Sequence, residues 1–173
     1  MLAYTLLIAA VAIERIAELV VSQRNLKWSR ARGGVEFGAG HYPVMVLLHT
    51  ALLAGCLLEA NHRQFIPLLG WPMLAVVVAA QLLRWWCICT LGRQWNTRVV
   101  VIPGAGRVTG GPYRFIPHPN YVAVVIEGIA LPLVYSAWIT AVVFTVLNAA
   151  LLWARISVEN TALASLTTDQ QDG

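Results

Sequence analysis

Five long apolar segments constrain the fold more than any other feature of the chain. They cover residues 3–21, 43–58, 68–91, 121–135 and 137–154. A membrane-spanning helix needs roughly 20 mainly apolar residues, because its backbone amides must find partners within the helix. Hydrophobic residues make up 58% of the chain and charged residues 12%, whereas soluble domains average about 45–50% and 25%. The sequence therefore predicts an all-α integral membrane protein with about five transmembrane helices.

The last two apolar segments predict a tight helical hairpin. Only Ser136 separates them, and no charged residue lies between them. The first arm is short and contains Gly128 and Pro132, so we expect it to be tilted, kinked or incompletely spanning. No linker or internal repeat divides the 173 residues, which predicts a single domain with three N-terminal helices within residues 1–91.

The distribution of basic residues predicts the orientation. One side of the predicted membrane holds nine basic residues and the other holds only Arg63. The nine are Arg24, Lys27, Arg30, Arg32, Arg93, Arg98, Arg107, Arg114 and Arg155. By the positive-inside rule the N-terminus lies outside and residues 92–120 face the cytoplasm. The net charge of +4 then reflects topology and contact with anionic membrane lipid, and no nucleic-acid partner is needed to explain it.

The polar interval 92–120 is the predicted location of the chemistry. It contains a β-like run at residues 97–102 and a glycine-rich turn at 103–106. The glycines of PGAGRVTGG are weak evidence for a nucleotide-binding loop, because a membrane hairpin follows them instead of a βαβ unit. A simple turn is the favoured interpretation.

The run His118-Pro119-Asn120-Tyr121 is the most specific motif in that interval. Prolines on both sides hold His118 in an extended conformation, and Asn120 is a candidate cap for a helix that starts at Tyr121. Two interpretations stay open. The run is either a rigid helix start, or it presents an imidazole, a phenol and free helix amides to a polar ligand.

Arg155 and Glu159 form a second candidate site. They lie four residues apart on one helix face, and Asn160 follows Glu159. They form either an interfacial ion pair or a site in which the carboxylate binds a cationic or hydroxyl-bearing ligand and the guanidinium orients an oxygen.

Several charged residues lie inside the apolar segments, where each one needs a partner or a cavity. We expect Arg15 to pair with Glu18, and Arg84 with Glu127; Glu14 is the remaining charge in the first segment.

Metal and disulfide chemistry are not indicated. His41 and His49 can share a helix face, but further metal ligands are lacking. Cys56, Cys87 and Cys89 are odd in number and lie in apolar segments, so they are interpreted as small buried side chains.

These motifs together resemble the isoprenylcysteine carboxyl methyltransferases. The resemblance rests on GPYRFIPHPNY, a short hydrophobic hairpin and then RISVEN, and spans roughly residues 95–163. GAGHYPVMVLLH, QWNTRVVVIPG and LNAALLWARISVENTAL are similar to a short bacterial branch whose members are associated with methylating alkylpyrones or related phenolic lipids.

The resemblance implies an S-adenosylmethionine-dependent O-methyltransferase of the bacterial inner membrane. Residues 92–163 would form a cytoplasmic cofactor pocket from the loop, the hairpin and the end of the last helix, with a lipophilic or prenylated acceptor entering from the bilayer. The implied catalytic residues are Arg155, Glu159 and Arg114. The residues implied to bind the cofactor are Tyr113, His118, Pro119, Tyr121, Glu159 and Asn160.

The chain departs from the family pattern at two positions. Pro117 stands where the family usually has arginine, and Asn160 stands where a second glutamate is common. Arg114 and Arg98 are the candidates to replace the missing charge. The alternatives to a methyltransferase are a catalytically silent lipid-binding protein of the same fold and a nicotinamide-dependent membrane reductase.

Overall fold

The part of the chain that the structure describes contains five α-helices and a small sheet. The computed structural model describes residues 1–106 and 108–169, with side chains described up to residue 161 except those of 107 and 160. The helices are α1 Leu2–Arg30, α2 His41–Ala60, α3 Pro67–Leu91, α4 Pro119–Leu133 and α5 Trp138–Asp169. The strands β1 Val35–Phe37 and β2 Val99–Val101 pair antiparallel, with Glu36 opposite Val100. The predicted all-α fold is confirmed, and the β-like run contributes a strand to this two-stranded sheet.

Three helices are long and apolar enough to cross a membrane. These spans are His41–Ala60, Pro67–Gln94 and Trp138–Glu159. Helix α4 has 15 residues and is apolar but shorter, which agrees with the short hairpin arm predicted above. Helix α1 has 29 residues and carries Glu14, Arg15 and Glu18 in its middle. The chain is an integral membrane protein.

The hairpin between α4 and α5 is as tight as predicted. Helix α4 ends at Leu133, and the amide of Ala137 donates to the carbonyl of Pro132 at 3.0 Å. Ser136 has φ +58° in this turn. Gly128 faces the ring of buried Phe144 so closely that a Cβ atom there would overlap the ring. The absence of a side chain at Gly128 therefore lets α4 and α5 approach each other.

A network of buried charges joins α1, α3 and α4. The Glu127 carboxylate accepts hydrogen bonds from Arg15 and Arg84, each at 2.9 Å. Arg15 also donates to Glu18 at 2.5 Å, and Arg84 lies 3.7 Å from the same carboxylate. Both predicted pairs exist, but they are parts of one network. A third carboxylate, that of Glu14, lies at the edge of the network and accepts hydrogen bonds from Gln81 and Trp85.

The polar ends of the helices meet on one side of the bundle. The C-terminal parts of α1, α3 and α5 and the N-terminal parts of α2 and α4 lie there. Helix α1 fixes the segment after α3, because Asn25 donates to the carbonyl of Trp95 at 2.7 Å and the Ser22 hydroxyl accepts from the amide of Thr97 at 3.0 Å. This end of the bundle is where the candidate site is found.

Candidate functional site

A cavity of about 490 Å³ occupies this end of the bundle and extends inward between the helices. Its outer part is lined by the 94–121 segment and α5, where His118 and Glu159 lie in the same wall as the apolar residues of β2. Its inner part is lined by apolar side chains of α1, α2 and α5, including Leu53, and also by charged residues, including Arg15 and Arg84. Ligand cavities in proteins are typically about 300–1,000 Å³, mostly apolar, with a few placed polar groups. The cavity therefore offers a ligand both polar groups and extended apolar surface.

His118, Tyr121 and Glu159 are brought together at the outer end. The Tyr121 hydroxyl donates to Glu159 Oε2 at 2.8 Å. His118 Nδ1 lies 3.7 Å from Glu159 Oε1, and the His118 ring stacks on Tyr121 with centroids 5.5 Å apart. Tyr121 and Glu159 are 38 residues apart in the sequence. They come into contact because the hairpin folds α5 back against α4.

Arg155 lies one helical turn deeper than Glu159 and is buried. Its Nη2 donates to the carbonyl of Thr97 at 2.8 Å, and its Nη1 lies 2.7 Å from the sulfur of Met45. Its guanidinium carbon is 5.9 Å from the centre of the Tyr121 ring. The Arg155 Nε atom has no hydrogen-bond partner among the described residues. Arg155 does not pair with Glu159, so the interpretation of the two as an interfacial ion pair is wrong.

Pro119 is the first residue of α4 and is fully buried. Its position fixes the orientation of His118, the residue immediately before the helix. His118 is the N-cap residue with φ −131°, and Asn120 lies inside the helix. The expected Asn120 cap is therefore wrong, because proline occupies the first helical position and moves the helix start forward. The Asn120 Oδ1 atom is buried and has no partner among the described residues, and Asn120 lines the cavity.

Tyr113 lines the cavity, whereas Arg114 does not. Burial raises the pKa of the Tyr113 phenol, and the neighbouring Cys87 raises it further, so the phenol stays protonated. Arg114 is exposed, with its guanidinium 5.9 Å from the ring of Phe115. The structure does not bring Arg114 to the other predicted site residues. The Asn160 side chain lies outside the described residues.

Arg98 lines the cavity but is already paired. It donates to Glu36 on β1 at 2.6 Å and lies 4.1 Å above the ring of Tyr42. Burial acts to raise the pKa of Glu36, but Arg98 and Arg30 outweigh it and lower the pKa, so this carboxylate stays ionised. This ion pair joins β1 to the residue that precedes β2, and the residues of β2 line the cavity.

Several residues of the cavity were not predicted from sequence as site residues. Asn148 is buried on α5 with an unpartnered Oδ1, and Asn96, Thr97 and Met45 lie around Arg155. His49 lines the same cavity. The signal for Asn148 was a polar residue inside an apolar helix seven positions before Arg155, on the same helix face.

The prediction that all three cysteines are buried is confirmed for two of them. Cys56 and Cys87 are buried as predicted, but Cys89 is exposed, because it lies two positions after Cys87 on a different face of α3. Among the residues that the structure describes, no group of three or more potential ligands is placed to hold a metal ion.

Comparison with known proteins agrees with this architecture. The sequence model of the "Isoprenylcysteine carboxyl methyltransferase (ICMT) family" matches residues 73–165, which include α4, most of α5 and every predicted site residue. The chain belongs to the isoprenylcysteine carboxyl methyltransferase family. The match begins inside α3, so the family's shared part is the half of the chain that carries the outer part of the cavity.

Two curated relatives extend over nearly the whole chain. The uncharacterized protein YpbQ of Bacillus subtilis (strain 168) is 37% identical over 161 residues, covering 92% of this chain and 96% of its own. An uncharacterized protein of Haemophilus influenzae (strain ATCC 51907 / DSM 11121 / KW20 / Rd) is 25% identical over 168 residues, covering 96% and 98%. No solved structure gives a significant match. This member of the isoprenylcysteine carboxyl methyltransferase family therefore belongs with short bacterial relatives, as the sequence predicted.

Proposed function

We propose that the protein is a membrane O-methyltransferase that uses S-adenosylmethionine and acts on a carboxylate or hydroxyl of a lipophilic acceptor. The observation that supports this most is a single cavity that is lined by the polar residues His118, Tyr121 and Glu159 and also by apolar side chains of α1, α2 and α5. In such a cavity a water-soluble methyl donor and a lipid acceptor can meet, although the donor comes from water and the acceptor from the bilayer. Family membership supports the reaction type.

The polar residues at the outer end fit the methyl donor. S-adenosylmethionine supplies an electrophilic methyl carbon on a sulfonium, and it carries an ammonium and an adenine as hydrogen-bond donors. The Glu159 carboxylate and the unpartnered Asn120 Oδ1 are acceptors that suit such donors. Tyr121 and His118 fix the carboxylate through the 2.8 Å hydrogen bond and the stacked rings.

Arg155 is placed to orient the acceptor. It is buried between Thr97, Met45 and Tyr121, and its Nε–H has no partner among the described residues. Methyl transfer is an in-line displacement, so alignment of the acceptor oxygen and exclusion of water contribute most of the acceleration. A fixed guanidinium supplies that alignment and stabilises negative charge on the oxygen.

Calorimetry on the detergent-solubilised protein tests the donor assignment. We expect saturable binding of S-adenosylmethionine and of its demethylated product, with no binding of a reduced nicotinamide cofactor. Binding of the nicotinamide alone would replace the proposal by a reductase, and binding of neither would favour a catalytically silent lipid-binding protein.

We further propose that the cavity mouth faces the cytoplasm of the bacterial inner membrane. All nine of the basic residues counted above lie on α1, on α5 or in the segments that follow α1 and α3, and Arg63 lies beyond the opposite end of α2. In a Cys89→Ser background, we expect Asn61→Cys to react with an impermeant maleimide on intact spheroplasts and Ala31→Cys to react only after permeabilisation. The reverse pattern would contradict the orientation.

A further inference from the structure

We propose that His49 is a further catalytic residue, whose Nε2 atom takes the proton from a hydroxyl acceptor during methyl transfer. This role rests on the proposed function and deepens it. A neutral hydroxyl acceptor needs such a base, whereas a carboxylate is already deprotonated and needs none.

His49 lies within the cavity at the depth where an acceptor is needed. It is one helical turn along α2 from Met45, and Met45 contacts Arg155 at 2.7 Å. Four residues of α-helix correspond to about 6 Å along the axis. His49 is therefore about one turn deeper along α2 than Met45, the residue that contacts the guanidinium we place at the acceptor oxygen.

The hydrogen bond to Met45 determines which ring nitrogen can act. His49 Nδ1 lies 2.9 Å from the Met45 carbonyl oxygen. A carbonyl can only accept, so Nδ1 carries the hydrogen, and in the neutral ring Nε2 carries the lone pair. The edge contact with Phe144, with ring centroids 5.4 Å apart, holds the imidazole in this orientation. This arrangement of an oriented imidazole with one free basic nitrogen is what general base catalysis requires.

The charged groups around His49 do not favour a carboxylate acceptor. Arg15 of α1 and Arg84 of α3 face it, together with Glu127 of α4. Both arginines are already bound to carboxylates, and the network has three carboxylates, counting Glu14, for two guanidinium groups. A further carboxylate would add to this negative charge, whereas a neutral hydroxyl would not.

Unpartnered acceptors in the cavity wall also indicate a ligand that donates hydrogen bonds. Asn148 Oδ1 on α5 and Glu18 Oε1 on α1 are buried without a hydrogen-bond partner among the described residues, and both residues line the cavity. Asn148 is 2% exposed and Glu18 is 8% exposed, and buried acceptors of this kind are normally hydrogen-bonded. A ring with a second hydroxyl or a tautomeric oxygen satisfies such acceptors, while a simple fatty acid does not.

The step balances without a further reactant. The acceptor oxygen forms a bond to the methyl carbon as the carbon–sulfur bond breaks, and the electron pair of that bond stays on the sulfur. The hydroxyl proton moves to His49 Nε2, which gives an imidazolium. That imidazolium returns its proton to water after the products leave, which restores the neutral ring.

The test compares His49→Gln with the parent on three probes that share one alkyl tail. These are an alkylphenol, an alkylated nitrophenol that is ionised near neutral pH, and a fatty acid. We expect His49→Gln to lower kcat on the alkylphenol by about 10²–10⁴-fold, the usual range for loss of a general base. The loss should shrink on the nitrophenol and should shrink on the alkylphenol as the pH is raised. Donor binding by calorimetry should not change.

His62→Gln is the matched control, because His62 is exposed in the turn after α2 and lies outside the cavity. An equal loss on phenol and nitrophenol, or a parent-like rate of His49→Gln on the alkylphenol, would overturn the role of His49. A parent enzyme that methylates only the fatty acid would overturn it too, while leaving the proposed methyltransferase intact. Failure of the parent to bind the donor at all would instead remove the proposed function.

Discussion

Glu127→Ala is expected to destabilise the protein by about 3–5 kcal/mol, the range found when one partner of a buried ion pair is removed. Glu127 is 5% exposed and binds both Arg15 and Arg84 at 2.9 Å. Without it, two guanidinium groups of α1 and α3 lose their shared partner inside the bundle. Arg84 keeps only the 3.7 Å contact with Glu18. The free energy of unfolding in mixed micelles measures this loss.

Two further variants separate this effect from a general loss of packing. Arg30→Ala removes a pair with Glu36 at 2.9 Å, but the Arg30 side chain is 60% exposed, so we expect a change below about 1 kcal/mol. Glu127→Gln keeps the shape and should still destabilise the protein, because the charge is lost. Parent-like stability of Glu127→Gln and Glu127→Ala would contradict the assignment of the network as the element that joins α1, α3 and α4.

Glu159→Gln is expected to weaken S-adenosylmethionine binding by about 10–100-fold. That range corresponds to the loss of a hydrogen bond to a charged group, about 1.5–3 kcal/mol. The glutamine oxygen can still accept from Tyr121, so the local geometry is kept while the charge is removed. His118→Ala should weaken donor binding in the same direction, since it removes the ring stacked on Tyr121.

Arg155→Ala is expected to act on turnover instead. Removing a group that stabilises charge at the acceptor oxygen typically lowers kcat by about 10²–10³-fold. Arg93→Ala is the control, because Arg93 is exposed outside the cavity. Titration calorimetry and single-turnover kinetics separate the two effects. The assignment is wrong if Glu159→Gln binds the donor like the parent, or if Arg155→Ala turns over at the parent rate.

The helices were predictable because each has a strong local signal. Apolar length located α2, α3 and α5, and the break at residues 132–137 located the hairpin. The start of α4 was misplaced because proline at its first position and asparagine at its second compete as signals in sequence. Of the small sheet, only the strand β2 was predicted. The strand β1 has three residues and is stabilised by the hydrogen bonds that Arg98 and Arg30 donate to Glu36.

The sequence identified residues of the candidate site that belong to recognisable motifs. It did not identify the contacts that depend on how the helices pack. His118, Tyr121 and Glu159 were each singled out, although their mutual contact depends on how α5 returns along α4. Arg155 contacts Met45 on α2 and Thr97 in the segment after α3. The spacing of residues in the sequence does not predict these contacts. The two predicted ion pairs merged into one network for the same reason.

Transfer of a labelled methyl group tests the central claim most directly. Membranes containing the parent protein are incubated with S-adenosylmethionine labelled in its methyl group, and label is measured in the lipid extract after addition of alkylphenol, alkylpyrone, fatty acid or prenyl-cysteine probes. We predict label in one added lipid class, lost in membranes containing Glu159→Gln at a limiting donor concentration and restored at a saturating one. Absence of labelled lipid with every probe, from a parent protein shown to be folded, would contradict the account.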